Sequence, residues 1–361
     1  MYLFKRRLVL LPYILLVSLV LASCGSGGAT PPAAQNSASS MTLSVGQTTN
    51  APSFFPLYVA RMENFFKNQG LTLNPSAPVQ LGTGTVVTKA LESGSIEMVG
   101  GGLVTDAFTL SRVDSSVRIL GQLADAYFVD IAVSKKLEQE EHVTAKSSLV
   151  DKVNALKGKK IGITGIGSGT WALVVYLFKQ YGLDIKKDVT LIPTGQTGAG
   201  GLAALSKGTV DAISYFTPTA QQAASKGFGD VFISPLRGDI PSMQGQVHGI
   251  FYARQQTIDA KPKAVQAFIR GIAQAEEFIH KNPTETATLL ASYLKITAPA
   301  AKTLLTLLSP SLSQSPIVDQ QGYDKANQFH VKAGLIAIAL PYKDIVASDF
   351  TNQALSSMPA S

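Results

Sequence analysis

Beyond residue 40 the chain alternates between short β-branched and apolar runs and longer stretches whose apolar positions recur every three or four residues. LSV (43–45), SVRILGQLA (116–124), DIAVS (130–134), KIGIT (160–164), VTLIPT (189–194), DAISYF (211–216) and HGIFYA (248–253) read as strands. Helical spacing fills the intervals. In TWALVVYLFKQYG the set Trp171, Val174, Val175 and Phe178 falls on one helix face. Strands alternating with helices predict an α/β architecture of parallel sheet with helices on both faces. Toward the end the pattern turns mostly helical. KPKAVQAFIRGIAQAEEFIH carries Pro262 near its start and Val265, Phe268, Ile269, Ile272 and Ile279 on one face. Asn282-Pro283-Thr284-Glu285 reads as a cap with Pro at the first helical position and Glu at the third.

Two patterns occur twice in the same order. Phe66-Lys67-Asn68-Gln69-Gly70-Leu71 matches Phe178-Lys179-Gln180-Tyr181-Gly182-Leu183. Ala90-Leu91-Glu92-Ser93-Gly94-Ser95-Ile96-Glu97 matches Ala204-Leu205-Ser206-Lys207-Gly208-Thr209-Val210-Asp211. Each reads as a helix end closed by a glycine in the left-handed region; the second leads into a strand. Helix–glycine–strand junctions arise by chance in α/β chains, but matching order at a nearly constant offset points to a duplicated lobe.

The first 40 residues follow other rules. Lys5, Arg6 and Arg7 precede the apolar run LVLLPYILLVSLVLA (8–22), and Cys24 is the only cysteine in 361 residues. A basic stub, a short apolar run and small residues make a secretory signal. The run is shorter than the ~20 residues that comfortably span a bilayer. LASC (21–24) resembles the lipobox of bacterial lipoproteins, which implies cleavage before Cys24 and acylation of its thiol. An uncleaved membrane helix with an incidental cysteine is the alternative. GSGGATPPAAQNSASS (25–40) has almost no apolar bulk and reads as a flexible tether. The expected division is signal 1–23, tether 24–40, one lobe from 41–130 plus 250–361, and a second lobe from 131–249.

With Cys24 acylated no thiol is left for a disulfide, so the exported body must be held by its core. Hydrophobic residues make up 45% of the chain, enough for a globular body. The formal charge is +7, and loss of Lys5, Arg6 and Arg7 with the signal leaves +4. No dense basic run tracks a phosphate backbone, which excludes nucleic acid as the expected partner. His142, His248, His280 and His330 are too widely spaced for a metal-ligand pattern. No G-x-S-x-G and no Walker loop is present. Gly165-Ile166-Gly167-Ser168-Gly169 lacks the third glycine of a dinucleotide fingerprint, since position 170 is Thr. No cofactor, metal or catalytic residue is expected.

What remains is a set of Gly/Ser/Thr turns that open helices after strands: GTGT (82–85), GIGSGT (165–170) and GQTGAGG (195–201). Free N–H groups at helix starts, with nearby hydroxyls, suit anions or polar ligand heads. Any one turn could be ordinary capping; repeated on two lobes, they suggest a cleft lined from both sides. About half of the nearby aromatics, Phe54, Phe55, Tyr58, Trp171, Tyr215 and Phe216, are expected to face it, the rest being core.

SFFPLYVARMENFFKNQGL (53–71), LKGKKIGITGIGSGTWALVVYLFKQYGL (156–183), AALSKGTVDAISYFTP (203–218) and KPKAVQAFIRGIAQAEEFIHKNP (261–283) resemble periplasmic solute-binding proteins. The group is that of the nitrate-, sulfonate- and taurine-binding proteins and the thiamine-pyrimidine-synthesis family. The resemblance spans roughly residues 42 to 300. It implies a two-lobed periplasmic-binding-protein fold of type II character, each lobe a mostly parallel sheet flanked by helices. The crossings would fall near Phe128–Ser134 and His248–Arg254.

The family's ligand-contacting turns map onto Gln47–Phe55, Gly82–Thr85, Gly167–Trp171 and Gln196–Gly198. The implied ligand-binding set is Asn50, Phe54, Phe55, Thr83, Gly84, Thr85, Gly167, Ser168, Gly169, Thr170, Trp171, Gln196, Thr197 and Tyr215, with Cys24 as lipidation site. Asp106, Asp125 and Asp130 are candidates for the carboxylate that pyrimidine binders use, and each could equally cap a helix or lie on the surface. The implied function is capture of a small solute (sulfonate, nitrate, taurine or pyrimidine-like) by a monomer lipid-anchored outside the cytoplasm, and delivery to an ABC permease. A pyrimidine-synthesis enzyme is the runner-up. Its family's cysteine-rich motif is missing here, since no cysteine follows residue 24. A sensor presenting solute to a membrane receptor is the third reading.

Overall fold

The structure, a computed structural model, describes residues 41–358. The signal, the tether and Cys24 lie outside the described residues.

Two five-stranded mixed sheets organise the chain. In the first the order is Val79–Gln80, Val45–Gln47, Met98–Leu103, Gly249–Arg254, Val117–Ala124. In the second it is Thr190–Pro193, Lys160–Ile163, Ala212–Phe216, Val129–Ser134, Gly229–Ile233. The fourth strand in each sheet is antiparallel to both neighbours, and the remaining pairs are parallel. That odd strand is the one entered from the other sheet: Val129–Ser134 follows Val117–Ala124, and Gly249–Arg254 follows Gly229–Ile233. Both sheets therefore share one plan, in which the other strands run second, first, third and last in chain order. The duplicated sequence patterns occupy equivalent places in it. Gly70 and Gly182 both have φ of 72°, and Gly94 and Gly208 have 75° and 67°, all in the region that only glycine enters freely.

The run LSV does not form a single strand. Met41–Leu43 pairs with Leu71–Leu73 in a separate two-stranded ladder, and Val45–Gln47 joins the first sheet. Ser44 makes the break, donating its N–H to Glu97 Oε2 at 2.9 Å. The expected cap at Asn282 takes another form. Pro283 does open the helix Pro283–Leu294, but Asn282 makes no side-chain cap. Its Nδ2 donates instead to Phe278 O at 3.0 Å, closing the helix Pro262–Lys281 before it.

Apolar faces explain the packing. Val265, Phe268, Ile269 and Ile272 of Pro262–Lys281 are buried against Phe55, Leu57 and Phe66, with Phe66 and Phe268 stacked at 4.8 Å. A fully buried ring of this kind contributes about 1.5–3 kcal/mol relative to exposure. Val174, Leu177 and Phe178 fill the second sheet's face with Val153 and Ile161. The helix Gln320–Ala333 serves both cores: Tyr323 and Ala326 pack with Phe108 of the first sheet's helices, while Phe329 lies 4.9 Å from Tyr127 and 5.0 Å from Tyr176.

Candidate functional site

A cavity of about 270 Å³ opens where the carboxyl ends of six strands converge, three from each sheet. The first sheet supplies Thr48, Thr49, Ala51 and Phe54 after Val45–Gln47, Gly82–Thr85 and Thr88 after Val79–Gln80, and Leu103, Thr105, Asp106 and Thr109 after Met98–Leu103. The second supplies Thr164 to Gly169 after Lys160–Ile163, Gln196 after Thr190–Pro193, and Phe216 from the end of Ala212–Phe216. Open α/β sheets bind ligands at this end because parallel strands leave their helix N-termini there.

Hydroxyls dominate the wall: eight threonines and Ser168 line it. Several are committed to their own backbone. Thr83 Oγ1 accepts the N–H of Val86 at 3.3 Å and caps the helix Gly84–Glu92. Ser168 Oγ accepts the N–H of Trp171 at 3.2 Å and caps the helix Gly169–Gln180. The first-turn N–H groups above these caps have no helical partner and point toward the cavity end of each helix. Gln196 donates Nε2 to Thr164 O at 3.1 Å. Phe54, Leu103 and Phe216 give the floor an apolar part.

Among the described residues Asp106 is the one charged residue of the lining, which contains no Lys, Arg or His. It lies in the first turn of the helix Val104–Ser111, where Oδ2 accepts the N–H of Leu103 at 3.0 Å. Burial outweighs that bond and pushes its carboxyl up to about 6. Behind it are buried polar groups. Thr105 Oγ1 lies 2.7 Å from His330 Nε2, and His330 Nδ1 donates to Ala326 O at 2.6 Å. His248 has no partner at either ring nitrogen among the described residues, and burial lowers it to about 3.

Of the expected ligand set, Phe54, Thr83, Gly84, Thr85, Gly167, Ser168, Gly169 and Gln196 come together on this cavity. The other six lie elsewhere. Phe55 is fully buried against Tyr58 and Tyr293. Tyr215 is buried too, its hydroxyl donating to Gly195 O at 2.7 Å. Thr170 turns inward, accepting the N–H of Thr164 at 3.0 Å and meeting Ser168 Oγ at 2.8 Å. Trp171 packs half-buried on the second sheet's core. Asn50 is exposed and accepts from Gln47 and Gln80, and Thr197 is exposed without a side-chain cap bond. Two of the six aromatics, Phe54 and Phe216, face the cavity.

Asp106 lines it, whereas Asp125 does not, and Asp130 is buried with Thr217 and Gln221 as donors. Leu103, Thr105 and Thr109 carried no expectation, because MVGGGL runs straight into VTDAFTLS without a Gly/Ser/Thr turn. The i, i+4 spacing of the two threonines was the available signal.

Among the described residues no group of three or more His, Cys, Asp or Glu is placed to hold a metal. No helix there is long and apolar enough to cross a membrane.

The chain is 21% identical to YtlA of Bacillus subtilis (strain 168), named as a binding protein, over 87% of this chain and 90% of that one. It is 24% identical to the 4-amino-5-hydroxymethyl-2-methylpyrimidine phosphate synthase of Aspergillus parasiticus over 64% of each. Among solved structures, the ligand-binding component of an ABC-type import system from Staphylococcus aureus, with zinc bound, aligns with a TM-score of 0.68 at 15% identity, covering 87% of this chain and 99% of that one. The periplasmic nitrate-binding protein NrtA of Synechocystis PCC 6803 aligns with a TM-score of 0.66 at 15% identity, covering 89% of each. These likenesses establish the periplasmic-binding-protein fold, in the company of solute-binding proteins of ABC import. Residues 34–295 match the NMT1-like family, and the chain belongs to that family.

Proposed function

We propose that the chain is an extracytoplasmic receptor, anchored through lipid on Cys24 and acting as a monomer, that takes one small polar solute between its two sheets and passes it to an ABC permease. One observation carries this reading: the cavity is lined from both sheets by strand ends and helix N-termini of the same duplicated plan. A solute touching both walls favours their approach over their separation, which is how two-lobed binding proteins close. Among the described residues the strands pass between the sheets after Ala124 and before Gly249, and the helix Gln320–Ala333 packs on both cores. The synthase reading has less support, because among the described residues the lining holds no Cys or His and a single carboxylate, too few groups for acid–base work by a pair. Small-angle scattering with and without a stabilising solute tests the proposal. The expected result is a smaller radius of gyration at saturation, and an unchanged profile sinks it.

A further inference from the structure

We propose that Asp106 selects the solute by charge, so that the bound compound carries a protonated nitrogen or a polarised N–H group and simple oxyanions are turned away. This rests on the reading of the cavity as the solute site. Three observations support it. Asp106 is the only charged side chain on the lining among the described residues. Its carboxylate is held in place: Oδ2 is bound by the Leu103 N–H, and Oδ1 lies so close over Gly84 that a Cβ there would overlap it. Oδ1 itself has no hydrogen-bond partner among the described residues and is not among the enclosed polar atoms, so it remains open to an incoming donor.

Among the described residues no neighbour supplies a countercharge. The elements around Asp106 contribute the phenols of Tyr127 and Tyr252, both pushed up by burial and neutral, and the buried imidazoles of His248 and His330, lowered to about 3 and about 4. Lys89 and Glu92 of the helix Gly84–Glu92, and Asp125 before Tyr127, lie off the lining, as does Arg254, which pairs with Asp114. The opposite wall, Thr164 to Gly169 with Gln196 and Phe216, has no ionisable side chain. A sphere of the cavity's volume is only roughly 8 Å across, so an anion anywhere inside stays within Coulomb reach of the carboxylate. At an effective dielectric of about 20 that repulsion weakens binding by roughly thirty- to thousand-fold across the cavity. The threonine hydroxyls do not oppose the choice, since each can donate or accept.

The test uses calorimetry on the full-length chain with matched probes whose charge is constant between pH 5 and 7: taurine against isethionate, and guanidinium against nitrate and sulfate. Within each set the nitrogen-bearing probe should bind about tenfold tighter or better. Asp106→Asn, which keeps an acceptor for Leu103, should lose that preference. On the unmodified chain, affinity for the nitrogen-bearing probe should fall as pH drops from 7 to 5, because the carboxyl takes a proton. This pH profile decides the matter even if Asp106→Asn fails to fold. Tighter binding of isethionate, nitrate or sulfate, affinity that rises toward pH 5, or a folded Asp106→Asn that keeps the preference overturns the assignment and leaves the receptor reading standing. Failure of every probe at millimolar concentration overturns the receptor reading and the assignment with it.

Discussion

Tyr127 and Gly169 are joined by one hydrogen bond: the phenol donates to the Gly169 carbonyl at 2.7 Å. Tyr127 belongs to the segment that leads from the first sheet to the second, and Gly169 opens the helix that forms the cavity's far wall. The bond ties the connection to the wall it must carry. Tyr127→Phe keeps the buried ring, so it should cost about 0.5–1.5 kcal/mol of stability. Urea unfolding measures this, and a change within experimental error would show that the hydroxyl contributes nothing.

Gly84 faces the Asp106 carboxylate with no room for a side chain. Gly84→Ala should therefore destabilise by about 1–3 kcal/mol, the usual cost of overpacking. Asp106→Ala should remove most of that penalty, because the clash is with the carboxylate alone. A double-mutant cycle in chemical denaturation reads the coupling. Additive effects would mean that the two residues do not meet as described.

Trp171 and Phe216 should separate cleanly. Trp171 packs on the second sheet's core away from the cavity, whereas Phe216 lines it. Trp171→Ala should lower the melting temperature, by less than the about 3–5 kcal/mol of a fully buried ring, and leave solute affinity unchanged. Phe216→Ala should weaken binding. Calorimetry on both variants decides, and reversed roles would relocate the apolar floor.

Glu276 is fully buried and neither carboxylate oxygen has a partner among the described residues, so its carboxyl is pushed well above the usual range. The folded state keeps a proton that the unfolded chain releases above about 4.5. Its contribution is thus full below that pH and is lost as pH rises toward the folded value, with a slope of up to about 1.4 kcal/mol per pH unit. His248 and His330 act the other way, losing stability as pH falls from about 6.5 toward about 3 and about 4, the values to which burial lowers them. Above about pH 6.5 the histidines are silent, and the Glu276 contribution keeps falling until its raised folded value is reached. Glu276→Gln should flatten the decline in stability as pH rises above about 4.5, as read by urea midpoints. An equally steep decline in the variant would rule Glu276 out as its source.

Cys24→Ser should abolish fatty-acid labelling and leave the chain uncut or released, because serine offers no thiolate for acylation. Metabolic labelling decides, and label that persists in the variant refutes the anchor.

Much of this plan could be read from local sequence. Gly70 and Gly182, and Gly94 and Gly208, announced matching helix ends because only glycine suits them, and Thr83 and Ser168 announced caps. The cavity was less legible, since a turn's composition does not say which way each hydroxyl points. Thr170 and Ser168 are two residues apart, yet one bonds inward to Thr164 and the other edges the cavity. Thr105 and Thr109 reach it from a strand that becomes a helix without any turn, so turn chemistry could not find them. The direction of Val129–Ser134 and Gly249–Arg254 depends on the connection between sheets, which no local pattern records.

The placement of Gly249–Arg254 also sets a timetable. That strand lies between Met98–Leu103 and Val117–Ala124, so the first sheet has a gap before its last strand until residue 254 has been made. The second sheet draws all its strands from one continuous stretch, Val129 to Ile233, and can assemble earlier. Closing a gap across more than a hundred residues is slow, because the intervening chain must be ordered before the contact stabilises anything. For a chain that leaves the cytoplasm by threading, as proposed here, this delay is useful: the segment that enters the pore first is the one that cannot finish folding until the rest arrives.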